Sequence, residues 1–169
     1  MAGQLVQVAT ETVTSAVASV TLTGIDSDDV YMVAMSGMQP VSDGQLYIRV
    51  TTSGVADSDS QYDDSAKYMK SDTSFSNAFH TNNTQWNITS TQESDYKGYV
   101  LLMYLYNFNS SSEYSFVTNE EAHIQGGTTS VRGLIGGGVH TVAETNDGIH
   151  FFTNAGNIAS GTFTLYRVV

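Results

Sequence analysis

The chain repeatedly alternates apolar and polar residues with a period of two. In Leu46–Thr51, Leu, Ile and Val share one parity, while Tyr, Arg and Thr share the other. Ala16–Thr23 alternates in the same way, with Ala, Val and Leu between Ser and Thr. Because successive side chains of a β-strand point to opposite faces of its sheet, this period predicts strands that are buried on one face.

Two other segments are apolar at nearly every position: Val30–Met35 and Tyr99–Tyr106. The second is eight residues long, which is short for a helix, and its aromatic content favours a strand. Both segments are typical of central strands.

In the sequence, no stretch long enough for a helix combines apolar residues at helical spacing with capping residues. Turn residues recur every ~8–15 residues. The sequence therefore predicts an all-β protein, an antiparallel β-sandwich of the jelly-roll type with about nine or ten strands. Neither a repeat nor a linker divides it, so we expect one domain over residues 1–169. Within it we expect residues 1–10 to form an N-terminal arm and residues 53–92, rich in Ser, Asp and Asn, to form a loop-rich variable region.

Charge excludes one class of partner. The chain has 6 Lys plus Arg against 17 Asp plus Glu, a formal net charge of −11. Such a surface repels phosphate backbones, so nucleic-acid binding is not expected. The first basic residue is Arg49 and the apolar runs are too short to span a bilayer, so we expect synthesis in the cytoplasm without a signal peptide and no membrane insertion.

Acidic residues provide the candidate metal ligands. A loop is predicted to carry Asp57, Asp59, Asp63 and Asp64, and carboxylate oxygens at such spacing can bind Ca²⁺. The spacing does not fit an EF-hand, because Tyr62 stands where the motif requires Gly and Tyr68 where it requires Glu. The interpretation we favour is a solvated acidic loop without a metal or cofactor, and Ca²⁺ binding is the alternative.

Motifs for catalysis are missing. The sequence contains neither a G-x-S-x-G nucleophile motif nor a metal-binding His motif, and its four His residues are far apart. Glu120 and Glu121 would point to opposite faces of a strand, which suits no carboxylate pair. We therefore predict a protein that is not an enzyme.

Two glycine runs, Gly126–Gly127 and Gly136–Gly138, lack the Lys-Ser/Thr and the helix of a phosphate-binding loop. They predict close backbone packing or sharp bends instead.

Aromatic residues in the middle of the chain suggest a candidate glycan site. Trp86, Tyr62 and Tyr68 could stack on the apolar face of a sugar, with neighbouring Asn and Asp side chains binding the hydroxyls. The same rings could equally fill the core or a subunit interface. A lectin-like carbohydrate-binding module is thus the alternative function.

The closing segment Gly156–Tyr166, GNIASGTFTLY, resembles the closing phrase of small virion structural proteins of tailed phages, particularly those of cyanobacteria and marine bacteria. The segments Thr12–Ile25 and Leu46–Val50 are similar to the same group, as is Asp147–Phe152. The likeness covers both ends of the chain and misses about residues 56–92. It departs at Arg167, where the family phrase usually has Gly.

This resemblance implies a jelly-roll subunit, a homotrimer, on the exterior of a virion. It would serve as a capsid decoration or head fibre, or as part of the tail-fibre apparatus. The implied partners are copies of itself, major capsid or tail components, and a host-surface glycan.

The alternation of apolar and polar residues at the end of the chain predicts a subunit interface. Phe163 and Leu165 share one face, but Arg167 then falls on that apolar side. We expect the last residues to leave the sheet, which places Tyr166, Arg167 and Val168 in a contact between subunits.

Overall fold

A computed structural model describes residues 3–72, 74–96, 98–127 and 130–169. Within these ranges the chain forms strands and loops, with no helix long and apolar enough to cross a membrane. The thirteen strands are β1 (Leu5–Val13), β2 (Ser19–Thr23), β3 (Tyr31–Pro40), β4 (Gly44–Thr52), β5 (Val55–Ala56), β6 (Tyr62–Lys70), β7 (Phe75–Asn83), β8 (Thr91–Gln92), β9 (Tyr99–Tyr106), β10 (Tyr114–Ile124), β11 (Val131–Ala143), β12 (Gly148–Thr153) and β13 (Ile158–Val168).

The strands form two antiparallel sheets that differ in width. The larger has the order β1-β13-β3-β9-β10-β11-β6-β7, and the smaller contains β2-β12-β4-β5 with β8 paired to β4. Four strands of the larger sheet (β1, β13, β3 and β9) face four of the smaller (β2, β12, β4 and β5). Among these eight the chain changes sheet at every step except from β4 to β5, which is the connectivity of a jelly roll. Strands β10, β11, β6 and β7 widen the larger sheet beyond the jelly roll. The predicted β-sandwich is therefore confirmed.

The core lies between the sheets, where one parity of each strand is buried. Leu46, Ile48 and Val50 of β4 belong to the same apolar cluster as Leu101 and Met103 of β9. The alternation of apolar and polar residues predicted for Leu46–Thr51 matches the alternation of burial as far as Val50, and Thr51 is buried as well. A smaller cluster, Ala66, Tyr68 and Leu134, lies beneath the widened part of the larger sheet.

Three expectations about the chain's organisation are corrected. The described residues contain thirteen strands rather than nine or ten. Residues 5–10 belong to β1, which pairs with β13, so they do not form a free arm. The region 53–92 contains the nine-residue strands β6 and β7, whose many Ser, Asp and Asn residues hide the alternation of their burial.

The segment 84–92 joins the two sheets at the widened end. The backbone of Trp86 exchanges hydrogen bonds with Ile48, at 2.9 and 3.3 Å. Its indole Nε1 donates to the carbonyl of Val139 on β11, at 3.1 Å. The ring is fully buried, and it packs edge-on against Tyr62 with centroids 5.2 Å apart.

Glycine makes this packing possible. A Cβ on Gly138 would lie 2.5 Å from Cδ1 of Trp86, and a Cβ on Gly136 would lie 2.9 Å from the backbone oxygen of Ser65. The close packing predicted for Gly136–Gly138 is confirmed, and the run lies inside β11 rather than at a bend.

We predict that Gly138→Ala destabilises the fold by about 1–3 kcal/mol, because the buried indole has to move to admit the methyl group. The measurement is the free energy of unfolding from denaturant titration. Gly98→Ala is the matched control, since nothing lies within 4 Å of its Cβ position; it should be neutral or slightly stabilising. Equal losses in both variants would contradict the role assigned to the contact.

Candidate functional site: the outer face of the larger sheet

The face of the larger sheet that points away from the smaller one, here called the outer face, is rich in exposed apolar side chains. On β9 the burial alternates strictly, so that Leu101, Met103 and Leu105 are buried while Val100, Leu102 and Tyr104 are exposed. The eight large apolar side chains that we assign to this face are Val100, Leu102, Tyr104, Phe116, Ile135, Met69, Phe75 and Phe79.

The exposed area of these side chains is large for a monomer. Their exposed fractions range from 40% for Met69 and Tyr104 to 78% for Phe79. With about 150–200 Å² for each side chain, they present on the order of 700 Å² of apolar surface. The largest apolar patch on a typical monomer is about 300–600 Å², and a standard interface buries about 800 Å² on each partner.

Cross-strand register places the side chains of this face in continuous rows. One row runs Ala34–Leu102–Glu120–Ile135–Lys67 across five neighbouring strands. Glu120 of β10 and Lys67 of β6 therefore lie on either side of Ile135 of β11. Glu120 lies between Leu102 and Ile135 in this row, and Lys67 lies between Ile135 and Asn77 of β7.

A groove of about 660 Å³ crosses the same face over β13, β3, β9 and β10. Small side chains, Ala34, Ala122 and Thr164, form its floor, and Tyr166 contributes to its lining. Because small residues on adjacent strands leave a depression between larger ones, this part of the face can receive protruding side chains.

Of the three residues predicted to contact a neighbouring subunit, Tyr166 lies on the outer face and is half-buried. The expected departure of the tail from the sheet is wrong. Strand β13 continues to Val168, which pairs with Leu5, while Arg167 pairs with Tyr31. The irregularity lies instead in β1, between residues 7 and 9.

Arg167 lies on the same side of β13 as Phe163 and Leu165. A charged side chain is tolerated there because the core of the sandwich ends at this position. Its guanidinium forms an ion pair with Asp29 and lies 4.0 Å from Asp26. The Ser27 hydroxyl and this guanidinium hold the pKa of Asp29 below its usual range. A cation on the apolar side of β13 is thus accommodated at the rim of the core by acidic residues of the same chain.

The candidate glycan contacts are corrected by their burial. Trp86 and Tyr62 are fully buried and Tyr68 is 8% exposed, so none presents a ring face on which a sugar could stack. Tyr68 donates from its hydroxyl to the carbonyl of Thr89 at 3.0 Å. These aromatics fill the interior, as the second interpretation of the sequence expected.

The four candidate Ca²⁺ ligands do not converge. Asp63 and Asp64 are consecutive residues of β6 and point to opposite faces. Asp63 accepts from the backbone N–H of Asn82, and Asp64 accepts from that of Asn87 and lies 2.8 Å from Nδ1 of His80. Asp57 and Asp59 share a turn. The alternative of one calcium loop is therefore wrong, and the four residues do not form a single solvated loop either, because β6 begins at Tyr62.

The histidines are likewise distributed among separate partners. His80 contacts Asp64, His123 contacts Glu121, His140 contacts Asp57, and His150 contacts Thr21. Glu120 and Glu121 point to opposite faces of β10, as predicted.

Glu121 lies in a buried polar cluster between the sheets. Tyr99 donates its hydroxyl hydrogen bond to Oε2 of Glu121, and Nδ1 of His123 lies 3.5 Å from Oε1. Burial raises the pKa of Glu121 to about 8 and lowers the pKa of His123 to about 4. Both groups are therefore neutral near pH 6, and their contact is not an ion pair.

The Glu121 pKa predicts a pH-dependent stability. Its pKa rises from an ordinary value of 4.5 to about 8 on folding, so its contribution is fully present below about pH 4.5 and is lost as the pH rises to about 8. Glu121→Gln keeps a neutral hydrogen-bonding group at this position. It removes the loss of folding stability that accompanies ionisation of the Glu121 carboxyl. Relative to the wild type, we predict that the variant gains a few kcal/mol in free energy of unfolding between pH 5 and pH 8.

Denaturant unfolding at the two pH values measures this gain. Glu113→Gln is the control, because Glu113 is an exposed loop residue; it should show no comparable gain. A Glu121→Gln difference that is the same at pH 5 and pH 8 would contradict the neutral buried carboxyl.

Sequence reasoning missed the outer face, although a signal for it was present. A strand that is apolar at every position is typical of one covered on both faces, and Tyr99–Tyr106 is such a strand. The structure covers it on one face. The exposed rings of β7, Phe75 and Phe79, carried no such signal because polar residues separate them.

Comparisons with known proteins add little. No protein-family profile matches the chain, and no characterised protein matches it. Among solved structures, the chain is aligned with one of the infectious bursal disease virus Gt strain, at 10% identity and a TM-score of 0.13. That alignment spans 99% of this chain and 42% of the other, and a likeness so slight supports no inference about function.

Proposed function

We propose that this protein is a non-enzymatic structural subunit that assembles with copies of itself through the outer face. The observation that carries the proposal is strand β9, which is apolar on both faces while the sandwich covers one of them. In the proposed assembly, a neighbouring subunit covers the outward-pointing side chains of β9.

A second copy suits this face better than an acidic surface or a lipid headgroup layer. The chain carries a net charge of −11, which repels anionic partners and also repels copies of itself at a distance. On the outer face, however, Glu120 and Lys67 offer opposite charges on one row. In a head-to-tail contact around a three-fold axis, Glu120 of one copy can pair with Lys67 of the next.

The resemblance of Gly156–Tyr166 supports the setting of this assembly. We propose that it belongs to the exterior of a tailed-phage virion, as a capsid decoration or fibre or as a tail-fibre component, with three copies in each assembly. Major capsid or tail components would be its other partners. In the purified particles of a phage that encodes it, mass spectrometry should detect the protein; its absence from those particles would overturn this setting.

The assembly itself is tested with the double substitution Leu102→Gln and Ile135→Gln. Both side chains are 46% exposed on the outer face, so the change removes apolar contact area without opening the core. We expect sedimentation velocity to show an oligomer for the wild type and at least a tenfold higher dissociation constant for the variant. The melting temperature of the dilute monomer should be unchanged.

Val55→Gln is the matched control. Val55 is 70% exposed but lies on β5 of the smaller sheet, so its replacement should leave the oligomer intact. A wild type that stays monomeric at all concentrations, or a double variant that assembles as tightly as the wild type, would overturn the proposal.

A further inference from the structure

A separate cluster of polar side chains lies at the end of β11, where the loop after β5 meets it. Asp57, His140 and Glu144 each place one potential ligand atom within 4.8 Å of the other two. The three come from the β5–β6 loop, from β11 and from the residue that follows β11. This cluster belongs neither to the outer face nor to the core between the sheets.

His140 is the informative member of the cluster. Its side chain is fully buried, and its Nε2 lies 2.9 Å from Oδ2 of Asp57. Its other nitrogen, Nδ1, has no hydrogen-bond partner among the residues that the structure describes. The nearest carboxylate oxygen recorded for that nitrogen is Oε1 of Glu144, at 4.0 Å.

The hydrogen bond to Asp57 determines what Nδ1 can do. When Nε2–H donates to the carboxylate, Nδ1 of the neutral imidazole carries a lone pair. A buried polar atom without a partner is costly. A carboxylate that holds the far N–H of an imidazole is also the usual support of a metal-binding histidine, since it fixes the tautomer and raises the basicity of the ligand atom.

The surroundings keep the imidazole in place. The Tyr62 ring packs against it with centroids 4.9 Å apart, and the Tyr62 hydroxyl donates to the carbonyl of Asp57 at 2.9 Å. Oδ1 of Asp57 accepts from the backbone N–H of Asp59 at 2.8 Å. Both the ring and the carboxylate that orients it are therefore fixed before any ligand arrives.

The cluster is open on one side. The side chains of Asp57 and Glu144 are 18% and 34% exposed, and both line a depression of about 290 Å³. Among the described residues, neither carboxylate forms an ion pair with lysine or arginine. A small cation can thus reach the cluster from solvent and would meet negative charge there.

We propose that this cluster binds a divalent transition-metal ion of the zinc type through Nδ1 of His140 and the carboxylate of Glu144, with Asp57 orienting the imidazole. Tetrahedral bonds of about 2.0–2.2 Å place two ligand atoms about 3.4 Å apart, so the partly exposed carboxylate of Glu144, now 4.0 Å from Nδ1, has to move inward by about half an ångström to share an ion with it. Water fills the remaining positions on the open side. An imidazole ligand favours Zn²⁺ over Ca²⁺, which prefers oxygen ligands alone.

Titration of the chelator-treated full chain with ZnCl₂, and separately with CaCl₂, tests the site. We expect Zn²⁺ to raise the melting temperature and to give a saturable heat, and Ca²⁺ to do neither. Glu144→Gln should weaken Zn²⁺ binding at least tenfold. Because Glu144 lies outside the strands and is partly exposed, this variant should fold without the metal.

Two further measurements locate the ion. His80→Gln is the control, since His80 forms the other partly exposed imidazole–carboxylate pair, with Asp64; it should bind Zn²⁺ as the wild type does. Long-range ¹H–¹⁵N spectra should show that Zn²⁺ shifts Nδ1 of His140. No response to Zn²⁺, an unchanged Zn²⁺ affinity in Glu144→Gln, or a shift at His80 instead would overturn the proposal.

Discussion

The apolar character of β9 on both of its faces is the constraint on which the organisation of this protein depends. Leu101, Met103 and Leu105 point inward and are buried against the smaller sheet, as in any sandwich. Val100, Leu102 and Tyr104 point outward and need cover of their own. A net charge of −11 opposes contact between copies at a distance, and in the proposed assembly the burial of the outer face outweighs this repulsion.

The widened sheet extends this face. Strands β10, β11, β6 and β7 add Phe116, Ile135 and the rings of β7 to the outer side. The smaller sheet is too narrow to cover their inner side, and the segment 84–92 does so instead. Trp86 anchors that segment because Gly138 leaves room for its ring. The polar cluster around Glu121 lies under the same segment, since Tyr68 and Asn119 bond to its backbone.

Much of the fold could be predicted from the sequence, because alternation reports burial directly. Leu46–Val50 and Val20–Thr23 show this best, whereas Ala16 and Ala18, which precede β2, are exposed although the alternation predicted them to be buried. The strands β6 and β7 could not be found in the same way, since the apolar Met69, Phe75 and Phe79 are exposed while the acidic Asp64 is buried. At the end of the chain, the alternation of side chains showed that Arg167 falls on the apolar side of β13. It could not show how the charge is accommodated, because the acidic partner Asp29 is distant in sequence.

The candidate sites were harder to predict than the fold. Trp86, Tyr62 and Tyr68 are aromatic in a polar region, and composition alone does not separate a core ring from an exposed one. The acidic residues looked like one loop because nothing in their spacing marks the start of β6. The contact of Asp57 with His140 depends on a pairing between residues 83 positions apart, which only the folded chain reveals.

Isotope-resolved cross-linking tests self-assembly through the outer face most directly. A mixture of ¹⁴N- and ¹⁵N-labelled protein, treated with a zero-length carbodiimide, reports whether a carboxylate and an amine of different copies touch. We expect mixed-label peptides that join Glu120 to Lys67. Cross-links confined to single copies, or mixed-label links that avoid the outer face, would contradict it.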